Sequence, residues 1–186
     1  WLQISRYFAE VTGSPLREGM SVLLEVSISY SEVWGFSLVV SDIDPEFTLG
    51  DNEKKRQETI QRLVAEGLME RQKDLEIPSL PYRIAVVSAP DAAGFRDFCQ
   101  HIDNNEYGFV FEIGLFPATM QGENSPAAVA AALKAVVDSG VAYDCVMLMR
   151  GGGGKLDMVC FDEYEMARAI ALCPLPHQHP QPLYQE

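Results

Sequence analysis

Three short runs in the second half of the sequence leave few folds open to it. Arg83 to Ser88 (RIAVVS), Phe109 to Phe116 (FVFEIGLF) and Asp144 to Met149 (DCVMLM) read as near-continuous apolar strands. Helical segments follow each of them: Ala92 to Ile102, Pro126 to Gly140 and Asp162 to Leu172. The middle helix carries Ser125 as candidate cap, Pro126 at its first position and Gly140 just past its end. Strands that are apolar along their whole length and alternate with helices predict an α/β fold. The sheet is parallel and covered by helices on both faces, giving three layers.

The first fifty residues read differently, as extended chain. Val22 to Tyr30 and Phe36 to Asp42 are β-rich runs joined around Glu32 to Gly35, with Val22, Leu24, Val26 and Ile28 on one face. Two strands alone are marginal in water, so this segment predicts part of a larger β unit. Asn52 to Glu70 carries Ile60, Leu63, Val64 and Leu68 at helical spacing and reads as a connecting helix, and the prolines of EIPSLPY (Glu76 to Tyr82) mark a boundary. The expected organisation is therefore an incomplete β segment (1–50), a connecting helix and linker (51–81), an α/β domain (82–176) and a tail (177–186).

With 47% hydrophobic and 22% charged residues in 186, the composition is that of a soluble globular chain. No stretch is long and apolar enough for a membrane helix and no signal peptide opens the chain, so a cytoplasmic protein is expected. A net charge of −13 excludes a surface-wide grip on nucleic acid and requires any such site to be local. Cys99, Cys145, Cys160 and Cys173 lie in apolar segments without a CxxC pair and read as buried thiols. His177 and His179 fall in the Pro-rich tail, where solvated coil is the simpler reading of an HxH pair.

In parallel sheets ligands bind beyond the carboxyl ends of the strands. SAPDAAGFRD, FPATMQGENS and RGGGG follow the first, second and third strands and so share one edge. Gly151, Gly152, Gly153 and Gly154 let backbone N–H groups approach a phosphate, and Arg150 adds a guanidinium that is always charged. GGGGK is followed by Leu156 rather than Ser or Thr, which disfavours a P-loop; a dinucleotide fingerprint would follow the first strand. Asp97 and Asp157 lie near the same edge and could orient water, position the arginine or hold a divalent metal such as Mg²⁺, which the residues permit without requiring. The expected centre is a phosphate cradle with Arg150 facing Asp97.

Four segments together resemble the large subunit of exodeoxyribonuclease VII. They are LVAEGLME with LEIPSLPYRIAVVSA, GFRD, FPATMQGENSP and YDCVMLMRGGGGKLDMVCFDEYEMARAI, within about Gly19 to Pro176. The resemblance implies an exonuclease that degrades single-stranded DNA to oligonucleotides by phosphodiester hydrolysis. It also implies a DNA-binding OB-fold before the catalytic domain, of which the closing strands would be SVLLEVSISYSEVWGFSLVV, and a helical region, absent here, that binds the small subunit.

Position by position, Arg150 matches the family's essential loop arginine and Asp97 its acidic residue after the first strand. Gly151 to Gly153 match its glycine run, Asp157 the Asp of its Glu-Asp pair, and Gln121 and Gly122 shape the facing loop. The sequence departs from the family at Gly154 for Ser, Leu156 for the first acid, Asp162 for Asn and Tyr164 for Glu. The family's downstream strand and Gly-His motif have no counterpart, with His177 read as a displaced remnant, which implies weak or no activity. Trp34 and Phe36 are candidate base-stacking residues. Two other readings remain: a non-catalytic nucleic-acid-binding or assembly module of the same fold, and a binder of phosphorylated metabolites.

Overall fold

The computed structural model describes residues 1–150 and 155–178, the side chains of 155–157 and 178 excepted. Its α/β part follows the alternation closely. Strand β3 is Arg83–Ser88, β4 Glu112–Pro117 and β5 Cys145–Leu148, with helices α3 (Ala93–Asp103) and α4 (Ser125–Asp138) between them. A 3₁₀ helix, Lys155–Asp162, then leads into α5, Tyr164–Leu172. The sheet gains a fourth strand that the sequence reading lacked. His177–Gln178 forms β6, pairing parallel to β5 through Val146 and Met147 in the order β4-β3-β5-β6.

Alternate residues of β3 face opposite ways, as the period of a strand requires. Ile84 and Val86 join Cys145 under Phe95, Phe98 and Ile102 of α3, whose spacing places them along one stripe. Ala85, Val87, Val146 and Leu148 pack instead against Val129, Leu133 and Val136 of α4 and Met166 and Ile170 of α5. At the amino ends of the strands the Asp144 carboxylate accepts from the backbone N–H of Tyr82 (2.6 Å) and Arg83 (2.8 Å). These two amides hold its carboxyl below the usual aspartate range and tie β5 to the start of β3.

The amino-terminal part departs from the extended expectation. Leu2–Thr12 is helix α1, closed by Gly13 in the left-handed conformation (φ +73°) and anchored by the fully buried Phe8. The hairpin is present, β1 Leu23–Ser31 against β2 Gly35–Asp44, but only its base is covered. Ile43 opposite Leu24 is buried; past a register shift between Glu25 and Val26 the apolar face is open, and Ile28 is 74% exposed. The connecting helix α2 starts earlier than expected, at Pro45, and runs to Ala65 across residue 50. Asp44 caps it, accepting from the N–H of Glu46 and Phe47, and Pro45 fills its first turn, a signal legible in DIDPEF but passed over. Ser125, the expected cap of α4, lies inside that helix, and its buried hydroxyl has no hydrogen-bond partner among the described residues.

Helix α2 and the turn after it are fastened to α5. Leu63 and Leu68 pack on Ala167 and Ala171, and the Arg62 guanidinium lies 3.3 Å over the Tyr164 ring. The Tyr164 hydroxyl donates to Glu66, which also pairs with Arg168 at 3.4 Å. Gln72 Nε2 donates to the carbonyls of Ile170 (3.0 Å) and Cys173 (2.8 Å), satisfying groups that the end of a helix leaves open. All four cysteines are free thiols, Cys145 and Cys173 buried, and no described helix is long and apolar enough to cross a membrane.

Asp162 sits 3.8 Å from Arg56 of α2 with most of its side chain covered. Burial raises its carboxyl above the usual aspartate range, and Arg56 only partly opposes this. A raised folded-state value means that its contribution is fully present below the unfolded value and is lost as pH rises through the folded one. Asp162→Asn abolishes this titration. Its stability relative to the parent is therefore expected to be highest at neutral pH and to decline on acidification to about pH 4, measured by urea unfolding at each pH.

Candidate active site

The strand order reverses once. The chain steps from β3 to β4 in one direction and then from β4 over β3 to β5 and on to β6 in the other. Parallel crossovers are right-handed, and across this reversal α3 packs with Ile84, Val86 and Cys145 whereas α4 and α5 pack with Ala85, Val87, Val146 and Leu148. In sheets of this kind ligands bind at the reversal, beyond the carboxyl ends of the neighbouring strands, here β3 and β5.

Arg150 lies at that edge, two residues past the end of β5. The N–H of Met149 still donates to the Val87 carbonyl at 2.9 Å, so the ladder of β5 and β3 holds the backbone up to the residue before it. On the far side lies the first turn of α3. A Cβ on Gly94 would come 2.8 Å from the Arg150 carbonyl oxygen, so only glycine lets the helix sit this close. Arg150 is half-buried, with Nη1 shielded from solvent.

Asp97 comes three residues after Gly94 and shares its side of α3, one turn below the rim. Its carboxylate is exposed and forms no ion pair with Arg150; its carbonyl oxygen lies 2.8 Å from His101 Nδ1. The fold thus brings position 97 to the edge that carries Arg150 without joining the two side chains. Gly151 to Gly154 lie outside the described residues. Asp157 falls within the 3₁₀ helix, and its side chain lies outside the description too.

On the other flank of the β3–α3 turn a cleft of about 660 Å³ separates the loops after β3 and β4. Ala89, Ala92, Ala93 and Ala118 give it a small apolar lining, with Asp91, Thr119 and Gln121 as polar members. Gln121 therefore borders this cleft, whereas Gly122, a turn glycine at φ +84°, borders a second groove of about 470 Å³ that also touches Arg17 and Lys55. Helices α3, α4 and α5 all begin at this edge without a side-chain cap. Their N–H groups and positive dipole ends suit an anion. Among the described residues no three His, Cys, Asp or Glu side chains gather as a metal seat.

His177 is placed elsewhere. It pairs with Val146, four residues before Arg150, so the sheet keeps it away from the rim. Its Nδ1 lies 2.9 Å from the Leu175 carbonyl and 3.2 Å from Gln72 Oε1. Gln72 spends its amide nitrogen on α5, so the oxygen faces the ring and Nδ1 carries the proton. Gly94 and the alanine-lined cleft were missed in the sequence, although the runs SAPDAAG and PAT signal strand ends where backbone must approach something closely.

The strands and helices together define an α/β protein built on a parallel sheet. Residues 68–177 match the family described as exonuclease VII, large subunit, and the chain belongs to that family. It is 33% identical to the exodeoxyribonuclease 7 large subunit of Deinococcus radiodurans over 174 residues, 92% of this chain and 42% of that protein. The corresponding protein of Moorella thermoacetica is 33% identical over 162 residues, 87% of this chain and 39% of that protein. That of Nostoc sp. is 36% identical over 115 residues, 62% and 27% respectively. The chain thus spans about two fifths of the length of the first two of these relatives.

Gly94→Ala is expected to push α3 off the end of β5. Overpacking of this kind typically costs about 1–3 kcal/mol. Thermal unfolding should show the loss, and Arg96→Ala on the exposed side of the same helix should not.

Proposed function

We propose that the chain acts as an exodeoxyribonuclease VII large subunit, hydrolysing phosphodiester bonds in single-stranded DNA to release oligonucleotides. The observation that carries this is Arg150, held at the end of the strands by the β5 ladder on one side and Gly94 on the other, within the segment that matches the family. In this reading Arg150 and the backbone donors of Gly151 to Gly154 hold the scissile phosphate and stabilise the charge that develops as water attacks. Asp97, solvent-facing beside that edge, orients the water, and Asp157 assists from the following helix. Gln121 and Gly122 shape the opposite wall. His177 supports β6 rather than the reaction.

The hairpin is read as the closing part of an OB-fold, supported by the open apolar face of Ile28, Tyr30, Phe36 and Leu38, which further strands would cover. The α/β part is read as three layers, with α3 on one face and α4 and α5 on the other. In the full-length protein the small subunit would be a partner, and the cytoplasm the compartment. Mg²⁺ enters as an assay variable, since the one described carboxylate of the proposed set, Asp97, does not make a cage.

The test is cleavage of 5′-labelled single-stranded DNA, with and without Mg²⁺, by the chain and by Arg150→Ala. Loss of a preorganised transition-state contact typically costs about 100-fold or more, and that is the expected drop in rate at unchanged thermal stability. Binding without cleavage by the parent chain would leave a binding module. Failure to bind DNA at all would remove the reading.

A further inference from the structure

The alanine-lined cleft holds none of the groups assigned above to the reaction itself. Its lining contains no cationic side chain, and the Asp91 carboxylate at its mouth is exposed and forms no ion pair or hydrogen bond among the described residues. A phosphate would not be drawn there. The small apolar walls of Ala89, Ala92, Ala93 and Ala118 suit instead the flat face of a nucleobase, and about 660 Å³ lies in the usual range of small-molecule sites. Pro90, Pro117 and Thr119 on its border are exposed, so the cleft is open to solvent and a strand that dips one base into it can run on in both directions. It lies beyond β3 and β4, whereas Arg150 follows β5, the neighbour of β3 on the other side. Adjacent strands are about 4.8 Å apart, so one bound strand reaches both places.

We infer that this cleft seats an internal base of the bound strand, and that Asp91 favours guanine at that position. The inference rests on the proposed function and deepens it. A seat that the strand passes through does not fix the distance from Arg150 to the chain end, so it is compatible with the release of oligonucleotides. Among the four bases guanine alone presents two adjacent donors, N1–H and N2–H, which match the two oxygens of a carboxylate as a pair of charge-assisted hydrogen bonds. Thymine offers one N–H between two carbonyl oxygens, which a carboxylate repels. Asp91 is a specificity residue in this scheme and touches no reacting atom.

Binding of phosphorothioate-linked thymidine oligonucleotides tests this directly, comparing an all-thymine strand with strands that carry a single guanine at the centre or at a terminal nucleotide. The central guanine is expected to tighten binding at least about fivefold, the low end of what a bidentate side chain–base pair discriminates. Asp91→Asn should abolish that gain, and so should Ala93→Leu, which fills the cleft from the exposed first turn of α3. A terminal guanine should not produce it. Equal affinity of the parent for the all-thymine and central-guanine strands, or a gain that survives Asp91→Asn, overturns the inference while leaving nucleic-acid binding intact. A gain of the same size from a terminal guanine, or one kept by a folded Ala93→Leu variant, overturns the internal seat. No binding of any oligonucleotide by the parent removes the proposed function itself, and the inference with it.

Discussion

A parallel sheet can be wound in one hand only, and that constraint shapes what is useful in this molecule. Because the chain first steps from β3 to β4 and then doubles back to β5, the helices before and after β4 pack on different residues of the strands. What the sequence adds is local: a glycine at position 94, where a methyl group would strike the Arg150 carbonyl, and small residues at the ends of β3 and β4. Backbone geometry thus brings the first turn of α3 against the residue that follows β5.

The second organising element is the seam between α2 and α5. It combines apolar packing of Leu63 and Leu68 on Ala167 and Ala171 with a cation over an aromatic ring and a shared carboxylate, Glu66. Asp162, just before α5, adds a contact to Arg56 of α2, so the connecting helix is held at both ends of this seam by charged groups as well as by apolar packing.

The sequence made the α/β part legible because fully buried strands and an amphipathic stripe such as Phe95, Phe98 and Ile102 are strong periodic signals. Strand β3 was read to the residue. Helix α1 was passed over although Ile4, Phe8 and Val11 recur at helical spacing; Phe8 is its fully buried anchor. Strand β6 was lost because two residues between prolines and a polar tail carry no periodicity; only pairing with Val146 and Met147 makes them a strand. At the site, Arg150 stood out as a charge after an apolar run. Gly94 and the cleft did not, since the fit of a helix against a carbonyl is a tertiary fact with no pattern along the chain.

Gln72 has a bearing on how the molecule is made. Its amide spans from the linker to Ile170 and Cys173 and on to His177, partners 98 to 105 residues away in sequence. During synthesis the linker emerges long before those partners, so this amide must wait in water until β6 has left the ribosome. Closing so long a loop is entropically costly and rewarded only when those partners arrive. Strand β6 and the linker are therefore expected to lock together after β3, β4 and their helices have been able to pair.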